Sequence, residues 1–174
     1  MNLWIQLLQI ILPSLLTAIV IYLVIKEFLT AEEKRKELEI RKSITQQTTP
    51  MKIQAYERMV IFLERLNPNS LVVRVNKPNM TNKQLYHALI QNIKQEYEHN
   101  LSQQLFMSSG AWELIKTAKE ETIKLINIAY SKVPPENSSN ELSLTIINLA
   151  SSLDKKLPHE IALEYLKKEA IQFL

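Results

Sequence analysis

Hydrophobic positions along this chain fall into two regimes. From Leu3 to Ile25 they form a run of twenty-three residues without a formal charge, LWIQLLQIILPSLLTAIVIYLVI; after Gln47 they recur at helical spacing between polar breaks. The first regime predicts a membrane-spanning helix. At ~1.5 Å per residue the run crosses a hydrocarbon core of ~30 Å with some tilt. Its Leu, Ile and Val residues each favour insertion by about 0.3–0.6 kcal/mol near the helix centre. Gln6 and Gln9 sit toward the outer end, where headgroups solvate them, Pro13 permits a kink, and Trp4 and Tyr22 fall near the two interfaces. Two alternatives are weaker. A cleavable signal peptide wants a basic start, a shorter apolar core and a small-x-small cleavage site, and Thr17-Ala18-Ile19 is a poor one. The core helix of a soluble protein rarely holds so long a charge-free run.

The flanks predict an orientation. Lys26, Lys34, Arg35, Lys36, Arg41 and Lys42 all follow the span and none precedes it. Basic flanks stay on the cytoplasmic side, so the amino terminus is expected outside and the rest of the chain in the cytoplasm. Residues 1–25 are thus read as the anchor, with residues 3–25 contacting lipid. Residues 26–49 are read as a charged helical stalk and linker. Its six basic and five acidic side chains nearly cancel. Glu32 with Lys36 and Glu37 with Arg41 are spaced as i,i+4 ion pairs in the better orientation. A spacer helix fits this pattern better than a lipid-gripping polybasic patch, which needs unopposed charge. Leu38, Ile40 and Ile44 do not sustain a heptad.

Residues 50–174 are expected to fold as a cytoplasmic bundle of about four to five helices, making the whole chain all-α. Thr49 is placed to cap a helix with Pro50 at its first position, and Ala55, Met59, Phe62, Leu63 and Leu66 form its apolar stripe. Asn67-Pro68-Asn69 stops it. Ser70 to Val75 is the one strand-like run, read as a short helix or a docked extended segment because a lone strand leaves its backbone groups unpaired. Lys77-Pro78-Asn79 is a turn. Thr81 to Gln84 is a capping box that opens a helix to about Phe106, with Tyr86, Ile90, Ile93, Tyr97, Leu101 and Leu105 on the buried face. Ala111 to Tyr130 is the next helix, its face small in Ala111, Ile115, Ala118, Thr122, Leu125 and Ala129. Ser138 to Glu141 is a second capping box ahead of Leu142, Ile146, Leu149 and Leu153. Pro158 opens a last helix with Ala162, Tyr165, Leu166 and Phe173 inward.

Composition removes several function classes. One Gly, at position 110, cannot build a phosphate cradle, a nucleophile elbow or a hairpin-rich sheet. The absence of Cys removes disulfides, thiolate metal sites and cysteine nucleophiles. A formal charge of +3 is mild, and Lys and Arg alternate with Glu, so nucleic-acid binding is not expected.

At this point two strings carry a resemblance. QAYERMVIFLERLNPNSLVVRV (Gln54 to Val75) and EYEHNLSQQLFMSSGAWELIKTAKEE (Glu96 to Glu121) resemble a family of short, uncharacterised proteins from Bacteroidota. The resemblance implies one N-terminal membrane helix and a helical domain in a bacterial inner-membrane setting, and supplies no activity.

The densest polar group is Glu96, Glu98, His99, Asn100, Gln103 and Gln104. Glu96 and His99 have the i,i+3 spacing of bundle-type di-iron sites, so a metal-binding bundle or membrane-bound enzyme is the alternative to a non-enzymatic protein. Half the ligand set is missing: His87 and His159 follow Gln84 and Lys156 at the matching offset, although Glu57 and Glu64 could lend carboxylates. A hydrogen-bonded polar seam is the simpler reading, and no cofactor or metal is assigned. Glu57, Arg58, Glu64 and Arg65 repeat an acid–base doublet on one side of a helix, read either as solvated ion pairs or as a docking face. Trp112 is an interface anchor or a core side chain. The expected role is an adaptor or accessory subunit that binds another protein or a second copy of itself, with no catalysis.

Overall fold

The computed structural model describes residues 3–173, and among them the fold is all-α. The elements are α1 (Leu3–Arg65), α2 (Pro68–Val75), α3 (Asn82–His99), a 3₁₀ turn (Leu101–Phe106), α4 (Ser109–Tyr130), α5 (Ser139–Ser151), α6 (Pro158–Ala170) and a closing 3₁₀ turn (Ile171–Phe173). The chain divides into two units, Met1–Thr48 and Thr49–Leu174.

In the first unit, α1 is long and apolar enough near its start to cross a membrane, and none of its most apolar window is buried within the chain. A soluble core helix would have hidden that surface. From Ile11 to Leu29 the large apolar side chains are exposed, as is Trp4, while those of Gln6 and Gln9 lie outside the described residues. Polar groups inside this stretch turn back on the helix: the Ser14 hydroxyl donates to the Ile11 carbonyl and that of Thr17 to the Ser14 carbonyl, both at 2.8 Å. Such bonds lower the cost of a hydroxyl in hydrocarbon. Farther on, Lys36 pairs with Glu32 at 3.1 Å and Arg41 with Glu37 at 2.8 Å, as their spacing predicts, and Arg35 adds a third pair with Glu39 at 3.2 Å.

The expected break at Thr49-Pro50 does not form. Helix α1 runs through it, and Thr48 donates its hydroxyl to the Ile44 carbonyl at 3.0 Å. The flanking Gln46, Gln47, Met51 and Lys52 are good helix formers, and no Gly offers a left-handed C-cap.

The second unit is a bundle built around α4, which packs on α3, α5 and most extensively on α6. Ala111, Ala118 and Ala129 are fully buried on α4, so its backbone approaches its neighbours closely. The stripe Ala55, Met59, Phe62, Leu63 and Leu66 is buried as the pattern predicts. Asn67 does stop α1, but its side chain at once caps α2 by accepting from the Asn69 N–H at 3.0 Å. Ser70 to Val75 is therefore helical, with Leu71 and Val72 in the core.

Helix α3 departs from expectation in register and length. Leu85, Leu89 and Ile93 form its buried stripe, Tyr86, Ile90 and Tyr97 only flank it, and Leu105 is 79% exposed. The helix ends at His99, where Asn100 folds its side chain back to the Glu96 carbonyl at 2.8 Å. That local bond competes with helix continuation, and the chain leaves as a 3₁₀ turn that places Leu101 and Leu105 outward. Smaller corrections follow the same logic. Ile126 rather than Leu125 is buried on α4, Leu153 lies beyond the end of α5 and is exposed, and Leu163 takes the inward place expected of Tyr165, which is 41% exposed. The side chain of Phe173 lies outside the described residues.

Two helix starts satisfy each other. The Thr81 capping box forms as predicted. The backbone N–H groups of Asn82 and Lys83, left without intrahelical acceptors, donate to the carbonyls of Asn137 and Pro135 at 2.9 and 3.0 Å. In return the Asn82 side chain, fully buried, accepts from the Leu142 N–H at 3.1 Å and donates to the Pro134 carbonyl at 2.7 Å. The second capping box is replaced by this arrangement. Ser138 does cap α5, but Glu141 accepts from the Asn82 and Asn137 side chains instead of reaching its own cap. Asn79, at φ 64°, supplies the left-handed residue that the preceding turn needs.

Candidate functional site

The residues singled out by sequence do not converge. Glu57 and Arg58 are exposed on α1. Seven residues on, about two turns later, the second doublet splits. Arg65 donates to Glu96 on α3 at 2.7 Å, whereas Glu64 lines a surface recess with Lys156, His159, Glu160, Glu164 and Lys167. Arg74 beside them donates to the Asn92 side chain at 2.9 Å. The Arg65–Glu96 pair is thus an intramolecular strut between α1 and α3, half open to water and worth about 0–1 kcal/mol.

Three members of the polar group at the end of α3 hydrogen-bond within the domain. Glu96 is taken by Arg65, Asn100 is the buried C-cap, and Gln103 donates to Ser102 at 3.4 Å. Glu98, His99 and Gln104 are exposed. Among the described residues no three His, Asp or Glu side chains gather in a geometry that could hold a metal ion. Glu96 turns toward Arg65 on α1 while His99 is exposed, so the two side chains of the i,i+3 pair are not brought together.

Trp112 packs on its own domain. Its ring stacks on Tyr97 at 5.5 Å between centroids, Tyr97 meets Phe62 at 6.0 Å, and the Lys119 ammonium lies 4.2 Å over the Tyr97 ring. Burial pushes the Tyr97 phenol above its ordinary value, with Lys119 opposing. A second buried phenol, Tyr56, is raised by desolvation and then by a hydrogen bond to Glu169. Glu169 also accepts from Ser108 at 3.0 Å, and Ser108 caps α4 by accepting from the Ala111 N–H at 3.1 Å. Tyr56, Glu169 and Ser108 therefore fasten α1, α6 and the start of α4 together.

The feature that sequence reasoning missed is a cavity of about 300 Å³ in the bundle, lined by residues of α4, the end of α5, the α5–α6 connection and Pro68. His159, only 3% exposed, lines it. Burial holds this imidazole below its ordinary value, while Glu160 and Glu64 pull it upward. A signal for its burial was present. His159 precedes Ala162, Leu163 and Leu166 by three, four and seven residues, which places it on the core-facing stripe of α6.

Residues 2–173 match the model of a family described as "Family of unknown function (DUF7935)". No curated protein and no solved structure matches the chain.

Proposed function

The chain belongs to the DUF7935 family, and from the features above we propose that it is a single-pass, membrane-anchored helical adaptor or accessory subunit, without catalytic activity of its own. The observation that carries this reading is the opening helix, whose apolar side chains have no partner within the chain over the most apolar window. Lipid is the solvent that removes the cost of that exposure. Orientation is read from charge. The basic residues Lys26, Lys34, Arg35, Lys36, Arg41 and Lys42 lie on the C-terminal side of the span, which supports a cytoplasmic bundle, and the proposed setting is a bacterial inner membrane.

What supports a binding role over a chemical one is the use made of the polar side chains. Arg65 and Glu96 neutralise each other, Asn100 caps a helix, and Trp112 and Tyr97 stack within the domain. The exposed Glu57 and Arg58 on α1 remain for a partner, with Arg58 suited to a bidentate carboxylate contact. Affinity capture of the full chain from native membranes in mild detergent tests this directly. A specific protein that co-purifies with the wild type and is lost on Arg58→Glu supports the adaptor role. A second copy of the chain would make it a self-assembling protein. Recovery of nothing above background across several detergents overturns it.

A further inference from the structure

A recess between α2 and α3 gathers two cationic side chains that have no carboxylate partner among the described residues, and we propose that it binds a phosphate monoester, with the phosphate group held by Arg74 and Lys77. This inference concerns the bundle alone and does not rest on the protein partner proposed above.

The charged lining consists of Arg65 at the end of α1, Arg74 in the last turn of α2, Lys77 just beyond it and Glu96 on α3, around a volume of about 420 Å³. Glu96, the carboxylate of this set, is already matched by Arg65 at 2.7 Å. That leaves Arg74 and Lys77. Arg74 is nevertheless held in place: its Nη2 donates to the Asn92 side-chain oxygen at 2.9 Å and to the Arg65 carbonyl at 3.5 Å. Both acceptors are neutral, so they orient the guanidinium without cancelling its charge, and Nε and Nη1 keep three N–H donors. The carbonyl end of α2 adds only partial negative charge. The recess beside His159 is different, because there Lys156 and Lys167 meet Glu64, Glu160 and Glu164.

Two uncompensated charges select the ligand class. A phosphate monoester carries close to two negative charges above pH ~6, whereas a carboxylate carries one and leaves a cation unmatched. Guanidinium and ammonium groups both suit phosphate oxygens, the first as a planar set of donors and the second as a point charge. The exposed Gln91 and Gln95, one helical turn apart on α3, add amide donors at the rim. Val75, Met80 and Ala88 complete the lining as half-buried apolar groups. They suit the uncharged organic part of an ester and give a bare inorganic ion nothing to contact.

The test uses the full chain in nanodiscs of zwitterionic lipid with isotope-labelled methionine methyl groups, at fixed ionic strength and at about pH 8, where a phosphate monoester is dianionic. The chain has five methionines, of which Met80 lines the recess, so the others serve as internal references. The probes are phenyl phosphate, benzoate and inorganic phosphate. Phenyl phosphate should shift the Met80 signal saturably and bind roughly tenfold more tightly than benzoate, the worth of one further hydrogen bond to a charged group. It should also bind more tightly than inorganic phosphate. Arg74→Gln and Lys77→Gln, both at exposed positions, should each weaken phenyl phosphate about tenfold, whereas Lys94→Gln, exposed on α3 outside the lining, should not. An otherwise uncharged peptide with one phosphoserine separates two sources of the same group. Tighter binding than phenyl phosphate assigns the recess to a phosphorylated protein segment and weaker binding to a free ester, and either supports a phosphate site. An unmoved Met80 signal, benzoate or inorganic phosphate binding as tightly as phenyl phosphate, full affinity in either recess variant, or an equal loss on Lys94→Gln would each overturn the proposal.

Discussion

Asn82 carries a disproportionate share of the bundle's stability, and its truncation tests how the two helix starts are joined. In Asn82→Ala the Leu142 N–H loses its acceptor at 3.1 Å and the Pro134 carbonyl its donor at 2.7 Å. Leu142 is fully buried, so its N–H has no water to turn to, whereas Pro134 is exposed and its carbonyl rehydrates. One orphaned buried donor costs about 1–3 kcal/mol, and the lost bond to Pro134 adds about 0.5–1.5 kcal/mol. The sum, about 1.5–4.5 kcal/mol, is a large part of the ~5–15 kcal/mol that a domain possesses. Trp112 reports the unfolding through its stack on Tyr97, once Trp4→Phe removes the second tryptophan. Urea titration of the full chain in mild detergent should show the midpoint falling on the order of 1–2 M, with slopes of ~1–3 kcal/mol per M. Lys83→Ala, at the next and exposed position, keeps its backbone bond to Pro135 and should change stability by no more than ~0.5 kcal/mol. A loss below ~1 kcal/mol for Asn82→Ala would refute the claim that this amide joins the two starts.

Three further outcomes follow from the packing. A double-mutant cycle on Arg65→Ala and Glu96→Ala should give a coupling of only ~0.2–1 kcal/mol by the same titration, because the pair is half open to water; more than ~2 kcal/mol would contradict its assignment as a surface strut. Gly110→Ala places a Cβ 2.9 Å from the Tyr165 hydroxyl oxygen, the far end of an exposed and flexible side chain that can swing away, so stability should change by less than ~1 kcal/mol and Tyr165→Phe should not be needed to accommodate it. The fold disfavours charged His159, so its folded value lies below the ordinary 6.5. The unfolded chain then binds the proton more readily, and stability is full above that ordinary value and declines as pH falls through the lower folded value. Urea midpoints at about pH 8 and about pH 5.5 should differ, and His159→Phe should flatten the difference where His87→Gln does not; an equal slope in both variants would contradict the assignment.

Apolar periodicity made the long-range layout legible from sequence. The stripe from Ala55 to Leu66 and the buried alanines of α4 followed directly from i,i+3 and i,i+4 spacing, and Thr81 with Gln84 marked a helix start that forms as written. Failures arose where two readings of one pattern are close in energy. On α3, Leu85-Leu89-Ile93 and Tyr86-Ile90-Ile93-Tyr97 are both plausible stripes, and contact with α5 and α4 chose the aliphatic one. At its end, the Asn100 side chain outcompeted helix continuation, which no hydrophobic count reveals. The interlock of Asn82 with Pro134 and Leu142 spans more than fifty residues and has no local signature. Of the candidate site, the chemistry-bearing residues were identifiable but not their partners: Arg65 and Glu96 are thirty-one positions apart. The cavity lay beyond sequence reading because it depends on what the α5–α6 connection leaves unfilled, although the stripe on α6 already placed His159 inward.

The central claim is that the opening helix crosses a membrane and leaves the bundle in the cytoplasm. The chain has no native Cys, so single introduced cysteines report their own surroundings. One is placed ahead of the first residue and another at the exposed Ser151 in a separate variant, and cells are treated with a membrane-impermeant maleimide before and after lysis. The N-terminal cysteine should react in intact cells, and Ser151→Cys only after lysis. Protection of both positions in intact cells, or reaction of both, would contradict it.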